Sequence, residues 1–182
     1  MTTRVEATIE DLYKTAGKAE IVDGELVLMS PTGDAPSYAA FEIAVSLRAQ
    51  ARQTGKGRAV GDNAGFRVNL PNRKSFSPDA AYYTGPSTGM KFFEGAPVFA
   101  VEVRSANDYG PEAERQMAAK RADYFAAGTL VVWDVDLLSE DAVRVYRASD
   151  LDRPTIYRRG DIAEAEPAVP GWRMPVNDLF QP

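Results

Sequence analysis

The chain has 182 residues, no His, no Cys and a formal net charge of −5, with 45% hydrophobic and 26% charged residues. Chains of this length commonly form one domain with its own core, so we predict a single domain over residues 1–182. The absence of Cys excludes disulfides, thiolate metal sites and cysteine nucleophiles, and the absence of His excludes catalytic triads and imidazole bases. Chemistry in this chain must use carboxylates, Lys, Arg, Tyr or a bound metal.

The sequence lacks the features of an exported or membrane-spanning protein. Its first 14 residues mix charged and apolar side chains, unlike the apolar centre of a secretory signal. No apolar run approaches the roughly 18 residues that a membrane helix needs. We therefore expect a cytoplasmic protein with no membrane partner.

The N-terminal part is predicted to form a short helix followed by a β-hairpin. Thr8 and Asp11 have the spacing of a capping box, which begins a helix that ends near Gly17. Two apolar segments, AEIV and ELVLM, then flank Asp23-Gly24. This dipeptide is the strongest short signal for a two-residue hairpin turn.

A longer helix is predicted from Ser37 to about Thr54, where apolar residues recur at helical spacing until Gly55. The stretch from Ser46 to Ser75 overlaps this helix and contains seven basic residues against one acid. Such a stretch is usually a solvated face, but it is also compatible with phosphate contacts. Its candidates for contacts with a nucleic-acid backbone include Arg48, Arg52, Lys56 and Arg58.

The remainder of the chain has the pattern of several strands and one helix. Alternating or continuous apolar segments predict strands at 66–70, 76–83, 97–103, 130–133, 142–147 and 155–158. Pro111 at a first helical position and Gly128 after the last one predict a helix that ends at Ala127. The order of elements predicts an α/β domain in which a mixed central β-sheet is flanked by helices, with the β-hairpin at its N-terminal end.

Two carboxylates stand out in the strand region. Glu102 lies inside the apolar segment VFAVEV, where an unpaired ionised carboxylate would be costly, so its partner must be a Lys, an Arg or a metal ion. Asp79 follows Ser77-Pro78 at the start of another strand. Carboxylates from neighbouring strands can converge on Mg²⁺ or Mn²⁺, which prefer oxygen ligands and activate water for attack on a phosphate.

The helix after Glu102 carries a row of side chains spaced four residues apart, which are Glu112, Gln116, Lys120 and Tyr124. Residues at this spacing share one face of a helix. Phosphate hydrolysis needs a cation near the developing negative charge, and Lys120 is the cation of this row.

Together these motifs resemble the PD-(D/E)XK restriction-endonuclease-like superfamily. The residues that carry the resemblance are Pro78-Asp79, Glu102-Val103-Arg104-Ser105, and Lys120 with Tyr124 and Gly128. Within the superfamily, the chain is similar to the Uma-two family of bacterial restriction-endonuclease-like proteins. The similarity extends over the Asp23–Val27 hairpin, Met29-Ser30-Pro31, residues 128–136 and Pro170-Gly171-Trp172, and thus over about residues 20–180.

The resemblance implies a restriction-endonuclease-like fold and a role for each matching residue. It implies that Asp79 and Glu102 bind Mg²⁺ or Mn²⁺ and that Lys120 is the catalytic lysine, displaced onto the helix. It also implies that Glu25, in the hairpin, is a further acid of the catalytic site. Arg104 stands where the superfamily pattern has Lys; arginine does not deprotonate, but it can stabilise the charge of a bound phosphate.

Three functions remain open at this point. The first is a Mg²⁺-dependent endonuclease that hydrolyses nucleic acid, with DNA as the favoured substrate and a homodimer as a compatible assembly. The second is a nuclease-fold protein that binds nucleic acid or a protein partner without cleavage. It is favoured by Arg104 and by Ser37-Tyr38, which stand where the family often has a His. The third is a structural module whose carboxylates form salt bridges.

Overall fold

The structure is a computed structural model that describes residues 5–182; residues 1–4 of the predicted domain lie outside this described part. Within it there are three α-helices and one 3-10 helix, namely α1 (Ile9–Lys14), α2 (Asp34–Thr54), α3 (Pro111–Ala126) and a final turn at Val176–Leu179. None of the helices in the described residues combines the length and apolar character needed to cross a membrane.

The described residues also form thirteen strands, which are β1 (Ala19–Val22), β2 (Glu25–Leu28), β3 (Arg58–Val60), β4 (Phe66–Arg67), β5 (Ser75–Phe76), β6 (Ala80–Tyr83), β7 (Phe93–Glu94), β8 (Phe99–Val103), β9 (Val131–Val135), β10 (Val143–Arg147), β11 (Asp150–Tyr157), β12 (Ile162–Glu164) and β13 (Arg173–Pro175). Six of them build the central sheet, in the order β11-β10-β9-β8-β6-β3. Strands β8 and β9 are parallel, whereas the other neighbours are antiparallel. The predicted mixed sheet is therefore confirmed.

Alternation along β8 determines which face of the sheet carries each side chain. Phe99 and Val101 pack in the same buried cluster as Ile43 of α2, whereas Ala100 packs on the other face with Tyr124 of α3. Successive strand residues point to opposite faces, so Glu102 lies on the face covered by α3. Helix α2 covers the opposite face.

The N-terminal hairpin forms as the sequence predicts. Asp23 and Gly24 have φ values of 49° and 75°, as a type I′ turn requires, and Val22 pairs with Glu25 across it. The hairpin docks beside β5, because the Ile21 N–H donates to Ser75 Oγ at 2.8 Å. This docking brings β1 next to the segment that leads into β6.

The boundaries of several elements differ from the prediction, and proline explains two of these differences. Helix α2 begins three residues early, at Asp34 rather than Ser37, because Pro36 lies in the first turn, where an N–H has no helical partner. The predicted strand 76–83 is divided into β5 and β6, which belong to different sheets. Pro78 lies between them and lacks the N–H that a continuous ladder would use.

Four strands of the structure were not predicted, namely β3, β7, β12 and β13. Each contains only two or three residues. A segment of that length is too short to show alternation, so tertiary pairing rather than local pattern defines it.

Candidate active site

Asp79 and Glu102 meet on one face of the central sheet. Strand β6 pairs with β8 in a register that matches Ala80 with Val101, so Asp79, one residue before β6, lies beside Glu102, one residue after Val101. The Asp79 N–H donates to the Val101 carbonyl at 3.0 Å, which attaches Asp79 to the end of β8. The sheet itself thus brings the two predicted metal-binding carboxylates together.

The Asp79 carboxylate has a fixed oxygen and an oxygen held by a lysine. Oδ2 accepts a hydrogen bond from the Val103 N–H at 2.8 Å. Oδ1 lies 2.7 Å from Nζ of Lys18, which also lies 2.6 Å from Oδ1 of Asp62. The Asp79 and Lys18 side chains are both only 13% exposed. Lys18, immediately before β1, is therefore a site residue that the sequence analysis missed.

The Glu102 carboxylate receives two hydrogen bonds from α3. Its Oε1 lies 2.9 Å from Nζ of Lys120 and accepts from the Tyr124 hydroxyl at 2.6 Å. Burial, against the opposing effect of Lys120 and with the nearby charges of Asp79 and Glu20, raises the pKa of Glu102 to about 7. A bound cation would relieve the cost of the ionised carboxylate at this position.

Lys120 lies between two carboxylates. Its Nζ is 2.9 Å from Oε1 of Glu20, the same distance as from Glu102. Burial disfavours the charged amine, but Glu102 and Glu20 outweigh burial and raise the pKa of Lys120 above its usual value. The raised pKa favours the protonated form of Lys120, which suits a cation that stabilises charge.

Glu20, on β1, is the hairpin acid that contacts the predicted lysine. Its side chain is 4% exposed, and it accepts hydrogen bonds from the Arg73 guanidinium at 2.6 Å and the Ser77 N–H at 2.7 Å. Burial raises the pKa of Glu20, but Lys120 and Arg73 outweigh it and keep the pKa below its usual value. The sequence signal was an acid in an apolar strand, but Glu25 adjoins an apolar segment of the same hairpin, so this signal does not choose between the two acids.

Arg73 forms ion pairs with Glu20 and with Asp123. It is 5% exposed, and its Nε donates to Oδ2 of Asp123 on α3 at 2.8 Å. Its guanidinium also lies 4.9 Å from the ring centre of Phe76. Although Arg73 belongs to the basic stretch of the sequence, it is a buried support for Glu20 rather than an exposed phosphate ligand.

Glu25 does not join these carboxylates in the structure. It is an exposed residue next to the hairpin turn, and it borders a shallow depression with Val5, Ala7 and Asp11. Glu20 pairs with Val27 on the opposite strand of the hairpin. The structure therefore favours Glu20 over Glu25 as the acid that the hairpin contributes to the site.

Arg104 lies in a separate buried network. Its guanidinium makes two hydrogen bonds of 2.8 Å to Asp134, on β9, and a further ion pair with Glu114, on α3. These hydrogen bonds, Asp134 first, raise the pKa of Arg104 despite burial. Because the side chain is 6% exposed and fully occupied by carboxylates, this placement does not support the predicted phosphate contact.

The other four basic candidates lie away from the carboxylates. Arg48 and Arg52 are exposed on α2, which covers the opposite face of the sheet. Lys56 is exposed just beyond α2, and Arg58 donates to the carbonyls of Gly85 and Pro86 at 3.1 and 3.0 Å. Arg58 pairs with Tyr83, four residues along the chain from Asp79, which is about 13 Å of strand. The structure thus leaves these four residues outside the group formed by Asp79, Glu102, Lys120 and Glu20.

The donor set fits a hydrated Mg²⁺ or Mn²⁺ ion rather than a metal enclosed by protein ligands. Within residues 5–182, no three His, Cys, Asp or Glu side chains converge to hold a metal. Mg²⁺ usually retains several waters and uses one or two carboxylates together with substrate phosphates, as Asp79 and Glu102 would allow. The cluster also contains five acids against three bases, namely Glu20, Asp62, Asp79, Glu102 and Asp123 against Lys18, Arg73 and Lys120.

The sequence of the chain matches a known protein family. The family model Uma2, described as "Putative restriction endonuclease", matches residues 7–177. The chain belongs to the Uma2 family. This result confirms the resemblance inferred from the Pro78-Asp79 and Glu102 motifs.

The fold of this Uma2 chain is also similar to a solved structure. The match is a crystal structure titled as a "putative nuclease belonging to DUF820" from Anabaena variabilis, with a TM-score of 0.75 and 16% sequence identity. The alignment covers 96% of this chain and 97% of that chain. The likeness shows a common fold over nearly the whole length. A search of curated proteins found no match.

Proposed function

We propose that this chain is a Mg²⁺- or Mn²⁺-dependent endonuclease that hydrolyses phosphodiester bonds in DNA. The observation that carries the proposal is the placement of Asp79 beside Glu102 at the end of neighbouring strands, with Lys120 bonded to the Glu102 carboxylate. Membership of the Uma2 family and the fold shared with a protein titled as a nuclease support the same class of activity.

The residues of the site divide into ligands, a cation and supports. Asp79 and Glu102 would hold the metal ion, which when bound lowers the pKa of water and offsets negative charge on the phosphate. Lys120 keeps its positive charge beside Glu102 and would stabilise charge on a non-bridging phosphate oxygen. Glu20 and Arg73 fix the position of Lys120 from the hairpin side.

The activity test compares two Asp→Asn variants that differ only in location. Purified protein is incubated with plasmid, linear duplex, single-stranded DNA and RNA, in Mg²⁺, in Mn²⁺ and in EDTA. We expect metal-dependent cleavage of DNA that is lost in Asp79→Asn and kept in Asp178→Asn, since Asp178 is exposed near the C terminus. Equal cleavage by the two variants would contradict the assignment, and preferential cleavage of RNA would correct the substrate.

A second candidate is a nuclease-fold protein that binds without cleaving. It is favoured by one observation, namely that each carboxylate of the metal-binding pair is bonded to a lysine, Asp79 to Lys18 and Glu102 to Lys120. Calorimetric titration with Mg²⁺ and Mn²⁺ separates the candidates. Micromolar affinity that Glu102→Ala abolishes would favour the nuclease, whereas DNA binding with no measurable metal affinity would favour the binding protein.

We include a homodimer in the proposal because two sites related by a two-fold axis could address the two strands of a duplex. Sedimentation analysis of the free protein and of its DNA complex measures the assembly directly. A dimer should convert supercoiled plasmid to linear product with little accumulation of nicked circles. A monomer that only nicks the plasmid would contradict this part of the proposal.

A further inference from the structure

Lys18 is a partly buried cation at the edge of the proposed metal site. Its side chain is 13% exposed, and its Nζ bridges Oδ1 of Asp62 at 2.6 Å and Oδ1 of Asp79 at 2.7 Å. Asp62 lies just beyond β3 with a side chain that is 48% exposed. Lys18 thus links the partly buried carboxylate of Asp79 to the more exposed carboxylate of Asp62.

The two oxygens of Asp79 differ in how easily their partners can be exchanged. Oδ2 accepts a hydrogen bond from the backbone N–H of Val103, which is part of the sheet. Oδ1 is held by the flexible side chain of Lys18, a point charge on a four-carbon stem. A divalent ion at Asp79 would compete with the Lys18 ammonium for Oδ1, and Asp62 offers that ammonium a second position.

We propose that Lys18 is a displaceable cation of the active site: a divalent ion replaces it at Asp79, Asp62 retains it at the rim, and its ammonium then binds a phosphate oxygen of the nucleic acid. The inference rests on the proposed metal-dependent function. An ammonium group has three donors, so Lys18 can contact Asp62 and a phosphate at the same time. It would supply the site with a phosphate-binding cation that Arg104 does not provide.

The first test is a double-mutant cycle measured by calorimetry with Mn²⁺. The four proteins are the wild type, Lys18→Met, Asp62→Asn and the double variant. We expect Lys18→Met to raise the Mn²⁺ affinity about tenfold or more, since a competing cation is removed. We expect Asp62→Asn to lower the affinity in the wild type, because Lys18 loses its second position, but to change it little when Lys18 is already Met.

The cycle separates displacement of Lys18 from a simple effect of charge. If Asp62 acted on the ion only through its own charge, Asp62→Asn would weaken binding equally in both backgrounds, which would overturn the proposal. Unfolding curves show whether Lys18→Met is folded. If it is not, Lys18→Gln, which also removes the charge, replaces it in the cycle. Absence of Mn²⁺ binding in all four proteins would overturn the proposed metal-dependent function itself, whereas additivity with intact binding would overturn only the role of Lys18.

The second test measures affinity for duplex DNA in Ca²⁺ and in EDTA, with Lys91→Met as a control in an exposed loop. We expect Lys18→Met to weaken DNA binding in Ca²⁺ about tenfold, because one hydrogen bond to a charged group typically changes an affinity by about tenfold or more. In EDTA the same variant should change binding little, since Lys18 is then held by Asp79. An equal effect in both conditions, or none in Ca²⁺, would overturn the phosphate contact.

Discussion

Lys120 of α3 and Glu20 of the hairpin form a salt bridge of 2.9 Å in which the glutamate is 4% exposed. This pair connects two distant segments of the chain, and it holds the lysine beside Glu102. An amine between two carboxylates is stabilised in its charged form. In the proposed mechanism, the lysine that the family resemblance singles out would stabilise charge on a phosphate, and Glu20 on its other side would position it.

The first prediction is that Lys120→Met lowers the rate of cleavage at saturating Mg²⁺ by at least about 100-fold, the usual cost of losing one donor to a developing oxyanion. Lys120→Arg should keep part of the rate because it keeps the charge. Single-turnover kinetics on a plasmid measures both variants against Lys91→Met, whose exposed side chain should not matter. A wild-type rate in Lys120→Met would remove Lys120 from the mechanism.

The second prediction concerns stability. Arg73→Met should lower the free energy of unfolding by about 3–5 kcal/mol, because it leaves the buried Glu20 carboxylate without one of its two cations. Urea unfolding measures this difference. Arg153→Met is the matched control, since Arg153 is 86% exposed, and it should lie within about 0.5 kcal/mol of the wild type. Equal midpoints for the two variants would contradict the buried role of Arg73.

The residues that the sequence could identify are those with a strong local signal. Glu102 lies in an apolar strand, and Asp79 follows a proline at the start of a strand. Lys120 belongs to a row of side chains on one face of the helix that follows Glu102. Lys18 and Arg73 have no such signal. Their roles depend on the hairpin docking beside β5, a contact between segments about 50 residues apart that no local pattern encodes.

The sequence also does not show which acid of the hairpin, Glu20 or Glu25, belongs to the site. Both acids lie in the hairpin, and strand β1 is buried on both faces over its first three residues. Without alternation, the pattern does not indicate which acid faces the sheet. Only the docked structure distinguishes the buried Glu20 from the exposed Glu25.

The contacts of Arg104 could not be read from the sequence for a comparable reason. Its position two residues after Glu102 is where the superfamily motif has a lysine, but its partner Asp134 lies on the adjacent strand β9. Glu102 itself is in register with Asp134 across the parallel pair β8 and β9. The register between two strands about 30 residues apart, rather than the motif, determines what Arg104 contacts.

The third prediction follows from that placement. Arg104→Met should destabilise the protein by about 3 kcal/mol or more, since it leaves Asp134 buried without its bidentate partner. Its affinity for DNA, measured under conditions where the variant is folded, should equal that of the wild type. Weakened DNA binding with unchanged stability would instead support the phosphate contact that the sequence suggested for Arg104.

The fourth prediction tests the hydroxyl of Tyr124, which donates to Glu102 at 2.6 Å. Tyr124→Phe keeps the ring that stacks on Phe76 with centres 4.0 Å apart, so the fold should be kept. Loss of a hydrogen bond that orients a charged ligand should weaken Mn²⁺ binding by about tenfold, as such bonds contribute about 1.5–3 kcal/mol. Calorimetry measures the change. Phe76→Leu is the control for packing, since it should alter unfolding more than metal affinity.

The fifth prediction is an acid-dependent loss of stability that originates at Glu20. Burial opposes ionisation of this carboxyl, but Lys120 and Arg73 outweigh burial and hold its pKa below the ordinary value of 4.5. The unfolded chain therefore binds protons more readily, so this stabilisation is complete above about pH 4.5 and is lost as the pH falls through the folded-state pKa.

Glu20→Gln should be less stable at neutral pH and should show a shallower decline on acidification. Urea unfolding between about pH 3 and pH 7 measures both slopes. The exposed Glu10→Gln should follow the wild-type curve, whereas a Glu20→Gln curve parallel to it would contradict the assignment.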